Sequence, residues 1–229
     1  PRMDFDKLLE IASDVFESPY FLQSSENDEG CFYGGYAKLR KSDTTGIESR
    51  NEGNVCNQGI WIDILPLDAV VEDEEKRRKQ LQKIRYFQRL LMKQSYPNKR
   101  VLWDLSEEDE MHCLETSRLF TRKELCDGLH TAIIDGEKEI SNKVAVLARY
   151  QGNVEYIQYS RADFEFLIKG CFEGRDIPIP VGYENVLKAD YGEEYYFYPP
   201  ISERKPHHMA VFDVSKSYVD YLDEHGYNR

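Results

Sequence analysis

Asp63 stands in the middle of Gly59-Ile60-Trp61-Ile62-Asp63-Ile64-Leu65-Pro66-Leu67-Asp68, a run otherwise built from β-branched, aliphatic and aromatic residues. A carboxylate buried there would cost several kcal/mol unless a cation or hydrogen-bond donors meet it. Side-chain alternation puts Trp61, Asp63 and Leu65 on one face of a strand, and Ile60, Ile62 and Ile64 on the other. Asp68 follows where the chain leaves the strand beyond Pro66, so that the two acids could reach one metal ion. The same pattern equally suits a structural arrangement, in which Asp63 accepts hydrogen bonds from a neighbouring loop and Asp68 caps a turn. His112, Cys113, Cys126 and His130 are a second candidate set, since Cys126 and His130 are four apart on one helical face. Their spacing is looser than that of a zinc module, and buried thiols are the expectation.

The elements that must position these groups follow from periodicity. Asp4 to Phe16 has helical spacing of apolar residues until Ser18-Pro19 stops it. Tyr20 to Gln23 and Tyr36 to Arg40 read as strands around a loop with Gly30, Gly34 and Gly35, and Ser42 to Asn57 reads as a polar connection. The acidic run itself reads as a buried strand ended by Pro66. Glu72 to Tyr96 is the clearest helix, acidic at its start, with Leu81, Ile84, Phe87, Leu90 and Leu91 as its stripe. Ser106 to Leu129 and Glu137 to Tyr150 are expected to be two more. Further on come a turn and Pro-punctuated edge strand (Phe172 to Pro180), a short helix from Glu184 to Tyr191, and a loop from Tyr198 to His208.

Composition narrows the function classes. The 229 residues carry 30 Lys+Arg against 42 Asp+Glu, a net charge of −12, which disfavours nucleic-acid binding by charge. Hydrophobic residues make up 41%, enough to fill the core of one domain spanning 1–229, with 72–150 a helical subregion. No apolar run approaches the roughly 20 residues a membrane-spanning helix needs. Five cysteines without a C-x-x-C pair, and no secretion signal after Pro1, lead to the expectation of free thiols in a cytoplasmic protein.

Three blocks in order resemble the LicD family: Pro1-Arg2-x-Asp4-Phe5; Gly59 to Asp68; and Phe172-Glu173-Gly174-Arg175 with Tyr191-Gly192, Pro199-Pro200 and His207-His208. The family includes bacterial transferases that attach phosphocholine to cell-surface polysaccharides, with fukutin-related transferases as distant relatives. The resemblance implies an α/β (α+β), nucleotidyltransferase-like mixed sheet with flanking helices and a helical insertion. It also implies transfer of a phospho-alcohol from a cytidine diphosphate donor to a sugar hydroxyl of a glycan, in peripheral contact with membrane-linked precursors. Carboxylates would hold Mg²⁺ or Mn²⁺, since a hard cation prefers oxygen ligands. Asp63 occupies the position resembling the third acid of such sites, as metal ligand or as the base for the acceptor hydroxyl.

Under this implication Lys38 and Arg40, with Lys41, would meet the donor diphosphate, or else form a solvated edge strand. Arg2 would approach the phosphate. Arg204, His207 and His208 would contact phosphate or sugar, or pin their own loop. Tyr195 to Tyr198 would line a sugar or choline pocket, or be core and rim. The family's D-x-D segment precedes the Pro1-Arg2 block and is not among these 229 residues. The alternative expectation is therefore a non-catalytic glycan- or partner-binding module.

Overall fold

Phe5, Leu8, Leu9 and Ala12 recur on one stripe of α1 (Arg2–Val15), and that stripe is buried with Phe16 against Leu22, Ala37, Leu39 and Ile64. These last four come from three antiparallel strands, β1 (Tyr20–Gln23), β2 (Ala37–Lys41) and β4 (Ile60–Ile64), in the order β1-β2-β4. Between them β3 (Thr45–Glu48) runs through the polar connection, where only a loop is expected. The computed structural model describes residues 1–138, 141–150, 156–204 and 209–227.

The rest of the chain builds smaller antiparallel units around a helical core. β5 (Asp68–Ala69) begins a second sheet, and α2 (Glu74–Ser95) follows, with the Asp73 side chain accepting from the Lys76 amide at its start. The expected helix from Ser106 to Leu129 is two helices, α3 (Glu107–Ser117) and α4 (Arg122–Ile134). The break is local chemistry: Thr121 and Glu124 form a complete capping box, so α4 starts afresh there. Leu81, Ile84, Leu90 and Leu91 of α2 are buried together with Leu125, Leu129 and Ile133 of α4.

The helix expected from Glu137 to Tyr150 gives way to β6 (Lys143–Ala145) and a short 3₁₀ turn at Leu147–Arg149. β6 lies between β5 and β7 (Gln158–Ser160), so ladder pairing on both sides, including Ala145 opposite Asp68, overrides local helical spacing. β8 (Leu167–Phe172) and β9 (Arg175–Pro180) form a hairpin around Glu173-Gly174, both at positive φ, 51° and 74°, as a two-residue turn of this hand requires. α5 (Tyr183–Tyr191) follows, β10 (Met209–Asp213) pairs with β3, and α6 (Tyr218–Glu224) closes the order. The fold is thus mixed α+β with small antiparallel sheets. Among the described residues no helix is long and apolar enough to cross a membrane.

Two sequence expectations are corrected. β4 is an edge strand rather than a buried one, with Ile62 61% exposed, because the terminal place in the sheet leaves one side of it uncovered. Cys31 and Cys56 are joined in a disulfide, so three cysteines and not five are free thiols.

Arg85 and Arg89, one helical turn apart on α2, both donate to Asp104, at 3.0 and 2.7 Å. Burial pushes the Asp104 carboxyl upward, but the hydrogen bonds from Arg89 and Arg85 outweigh it and hold the group below the usual range. A depressed carboxylate adds stability that is present above its unfolded pKa and lost as pH falls through the folded one. The advantage of the parent over Asp104→Asn in urea unfolding is therefore expected in full at pH 6 and to shrink below about pH 4.

Candidate functional site

Antiparallel register sorts the first sheet into two faces. Leu22, Leu39 and Ile62 align on one side, where Leu22 and Leu39 pack on α1 while Ile62 stays exposed. On the opposite side Gln23, Lys38 and Asp63 form one row, and Phe21, Arg40 and Trp61 the next. Gly59 admits the close approach that starts β4, since a Cβ there would stand 2.2 Å from the Lys41 carbonyl oxygen.

Lys38 is the hub of this polar face. Its side chain is 2% exposed, with Nζ 2.9 Å from Glu48 Oε2 and 3.8 Å from Asp63 Oδ1. The ammonium lies 3.8 Å from the Trp61 ring centroid and 4.8 Å from that of Tyr33. Burial pulls its pKa down to about 8, against the opposing pull of Glu48. Glu48 arrives from β3, where Arg50 Nη2 stands 3.4 Å from Oε1 and Asn51 Nδ2 donates to Oε2 at 3.3 Å. Burial would raise the Glu48 pKa, but Arg50 and Lys38 hold it low. Asp63 stays partly open, its side chain 35% exposed. The site thus offers two carboxylates flanking one buried ammonium.

The other cations expected to meet a diphosphate are committed elsewhere. Arg40 is 1% exposed, and its guanidinium donates at 2.7 Å each to Gln23 Oε1, the Gly59 carbonyl and the Tyr33 hydroxyl. Arg2 Nε and Nη2 donate to the two oxygens of Asp68 at 2.7 and 2.9 Å, and Nη1 donates to the Gly35 carbonyl. Arg2 is 5% and Asp68 0% exposed, so the two expected site residues are paired with each other. Glu48, not Asp68, is the second acid beside Asp63. The sequence points to Lys38, Arg40 and Asp63 but misses Glu48, whose signal is the β-branched Thr44, Thr45 and Ile47 within an otherwise polar stretch.

Arg204 donates to the Pro199 carbonyl at 2.8 Å and lies over the Tyr198 ring, while His207 and His208 fall outside the described residues. Tyr196, Phe197 and Tyr198 are exposed rather than core. A cavity of about 400 Å³ opens between α1 and α4, lined among others by Arg2, Asp6, Tyr36, Cys126 and His130. His130 Nε2 is 3.0 Å from Asp6 Oδ2, and burial raises the Cys126 thiol to about 11, so the sulfur is protonated at neutral pH. Among the described residues no three His, Cys, Asp or Glu side chains are grouped to hold a metal ion.

No family model, curated protein or solved structure matches the chain.

Proposed function

We propose that the chain is a transferase of the LicD type, moving phosphocholine or a similar phospho-alcohol from a cytidine diphosphate donor to a glycan hydroxyl. The observation that supports this reading is the convergence of Glu48 and the partly exposed Asp63 on one cationic position at the polar face of the first sheet. Mg²⁺ commonly keeps several waters and needs only one or two protein carboxylates besides substrate phosphates. Glu48 and Asp63 offer oxygen ligands of the kind such an ion takes, with Lys38 Nζ 2.9 Å from the first and 3.8 Å from the second. Glu48 and Asp63 would hold the ion, and when bound it supplies charge against the phosphate oxygens. Trp61 borders the same position and shields it from water on the ring side.

A second reading, a binding module without catalysis, is favoured by the engagement of Arg2, Lys38 and Arg40 with partners inside the protein, Asp68, Glu48, and Gln23 with Gly59 and Tyr33. Placement in the cytoplasm is part of the transferase reading, although the Cys31–Cys56 bond removes the cysteine argument for a reducing compartment. The two readings separate on incubation with cytidine diphosphate alcohols, Mg²⁺ or Mn²⁺, and oligosaccharide acceptors. The transferase releases cytidine monophosphate only with metal present. Calorimetric binding of sugar with no nucleotide binding and no turnover would replace this reading with the module.

A further inference from the structure

The two edges of the β8–β9 hairpin are built differently. β9 carries Pro178 and Pro180 inside the ladder, opposite Lys169 and Leu167. A proline has no N–H to give, so these positions sit where the backbone points away from β8, and the outer edge of β9 lacks two donors. By the same alternation Leu167, Lys169 and Cys171 turn their own N–H and C=O groups to the outer edge of β8, while Ile168, Gly170 and Phe172 face β9. β8 contains no proline, and among the described residues no further strand lies beside it. We propose that this open edge is a homodimer surface, on which β8 of one copy pairs antiparallel with β8 of a second about a two-fold axis at Gly170. The two hairpins then make one sheet in the order β9-β8-β8-β9.

Three observations carry it. First, Phe166, Leu167 and Phe172 are 56, 64 and 65% exposed at or beside β8, on a two-stranded sheet of a kind that is marginal alone. Second, the strand is complementary to itself in one register. With Gly170 on the axis, Ile168 stands opposite the partner's Phe172, and the symmetry repeats this β-branched and aromatic pair. Lys169 then stands opposite the partner's Cys171, whereas an axis at Lys169 would set two like charges face to face. The Lys169 charge is met inside its own hairpin by Asp176, at 2.7 Å. Third, both proline-bearing edges end up on the outside of the joined sheet, so pairing closes at two copies and does not run on into a stack. That closure favours a second copy of this chain over an open-ended array of strands. A single strand pair is a small interface, below the roughly 800 Å² per partner of a standard complex, so assembly depends on concentration.

Sedimentation velocity on the chain from about 1 to about 200 µM is expected to show monomer passing to dimer, with no larger species. Lys169→Pro removes an outward N–H, as Pro178 does on β9, and is expected to stay monomeric over that range with an unchanged circular dichroism spectrum. Lys169→Met keeps the N–H and is expected to dimerise as the parent does. Isotopically light and heavy protein, mixed and treated with a short amine-to-thiol cross-linker, is expected to give mixed-label peptides joining Lys169 of one copy to the partner's Cys171. A chain that remains monomeric at about 200 µM overturns the proposal and leaves the edge to another kind of partner. So does a dimer that Lys169→Pro leaves intact, or one that gives no mixed-label linkage between these two residues. Should Lys169→Pro misfold, the mixed-label linkage on the parent decides alone.

Discussion

Asp63→Asn is expected to lower metal-dependent turnover of a cytidine diphosphate donor by about a thousandfold, roughly 4 kcal/mol of transition-state stabilisation, while the protein stays folded. The two halves of that expectation have separate causes. The amide keeps the shape of the carboxylate but lacks the charge that, on the transferase reading, would hold a divalent ion. Stability is nearly indifferent, because Asp63 is 35% exposed and its contact with Lys38 is long, at 3.8 Å, while Glu48 retains Lys38 at 2.9 Å. An ion pair this open contributes at most about 1 kcal/mol. Parallel measurement of cytidine monophosphate release and of the urea midpoint checks both halves. Turnover at the parent's rate would take Asp63 out of the reaction.

The largest loss of stability is expected from Arg2→Met. Asp68 is 0% exposed, and both of its oxygens accept from Arg2, so the variant leaves a buried carboxylate without its guanidinium. Removing one partner of a buried pair costs about 3–5 kcal/mol, mostly as the penalty of stranding the other charge. The double variant Arg2→Met with Asp68→Asn deletes that stranded charge and is expected to regain more than half of the loss. Denaturant titrations of the parent, both single variants and the double variant give the coupling directly. A double variant as unstable as Arg2→Met alone would show that lost packing, rather than loss of the guanidinium's charge, dominates.

How far the fold could be read in advance depended on how local its causes are. α1, α2, α5 and the β8–β9 turn declare themselves through apolar spacing, capping and Glu173-Gly174, all signals within a few residues of one another. The break between α3 and α4 was legible too, in Thr121 and Glu124, but was masked by continuous helical propensity on both sides. β6 was not legible as a strand, because three residues carry no period and the pairing with β5 and β7 decides their conformation. The same holds for β4, whose aliphatic composition cannot distinguish a central strand from an edge. In the site, the strand expected at Tyr36 to Arg40 does pair with the acidic one, and alternation does put Asp63 on the less aliphatic face. What pairs with what was out of reach: Arg2 meets Asp68 across 66 positions, and Glu48 reaches Lys38 only because β3 leaves the first sheet to pair with β10.

The Arg2–Asp68 tie also gives the first helix a second job. Through Phe5 it is seated on one sheet, and through Arg2 it is clasped to the start of another, so a single cylinder fastens two separate ladders. Losing the Arg2 side chain would therefore be felt beyond Pro66, at the beginning of β5, and should loosen the β5–β6–β7 ladder before it disturbs the helix itself.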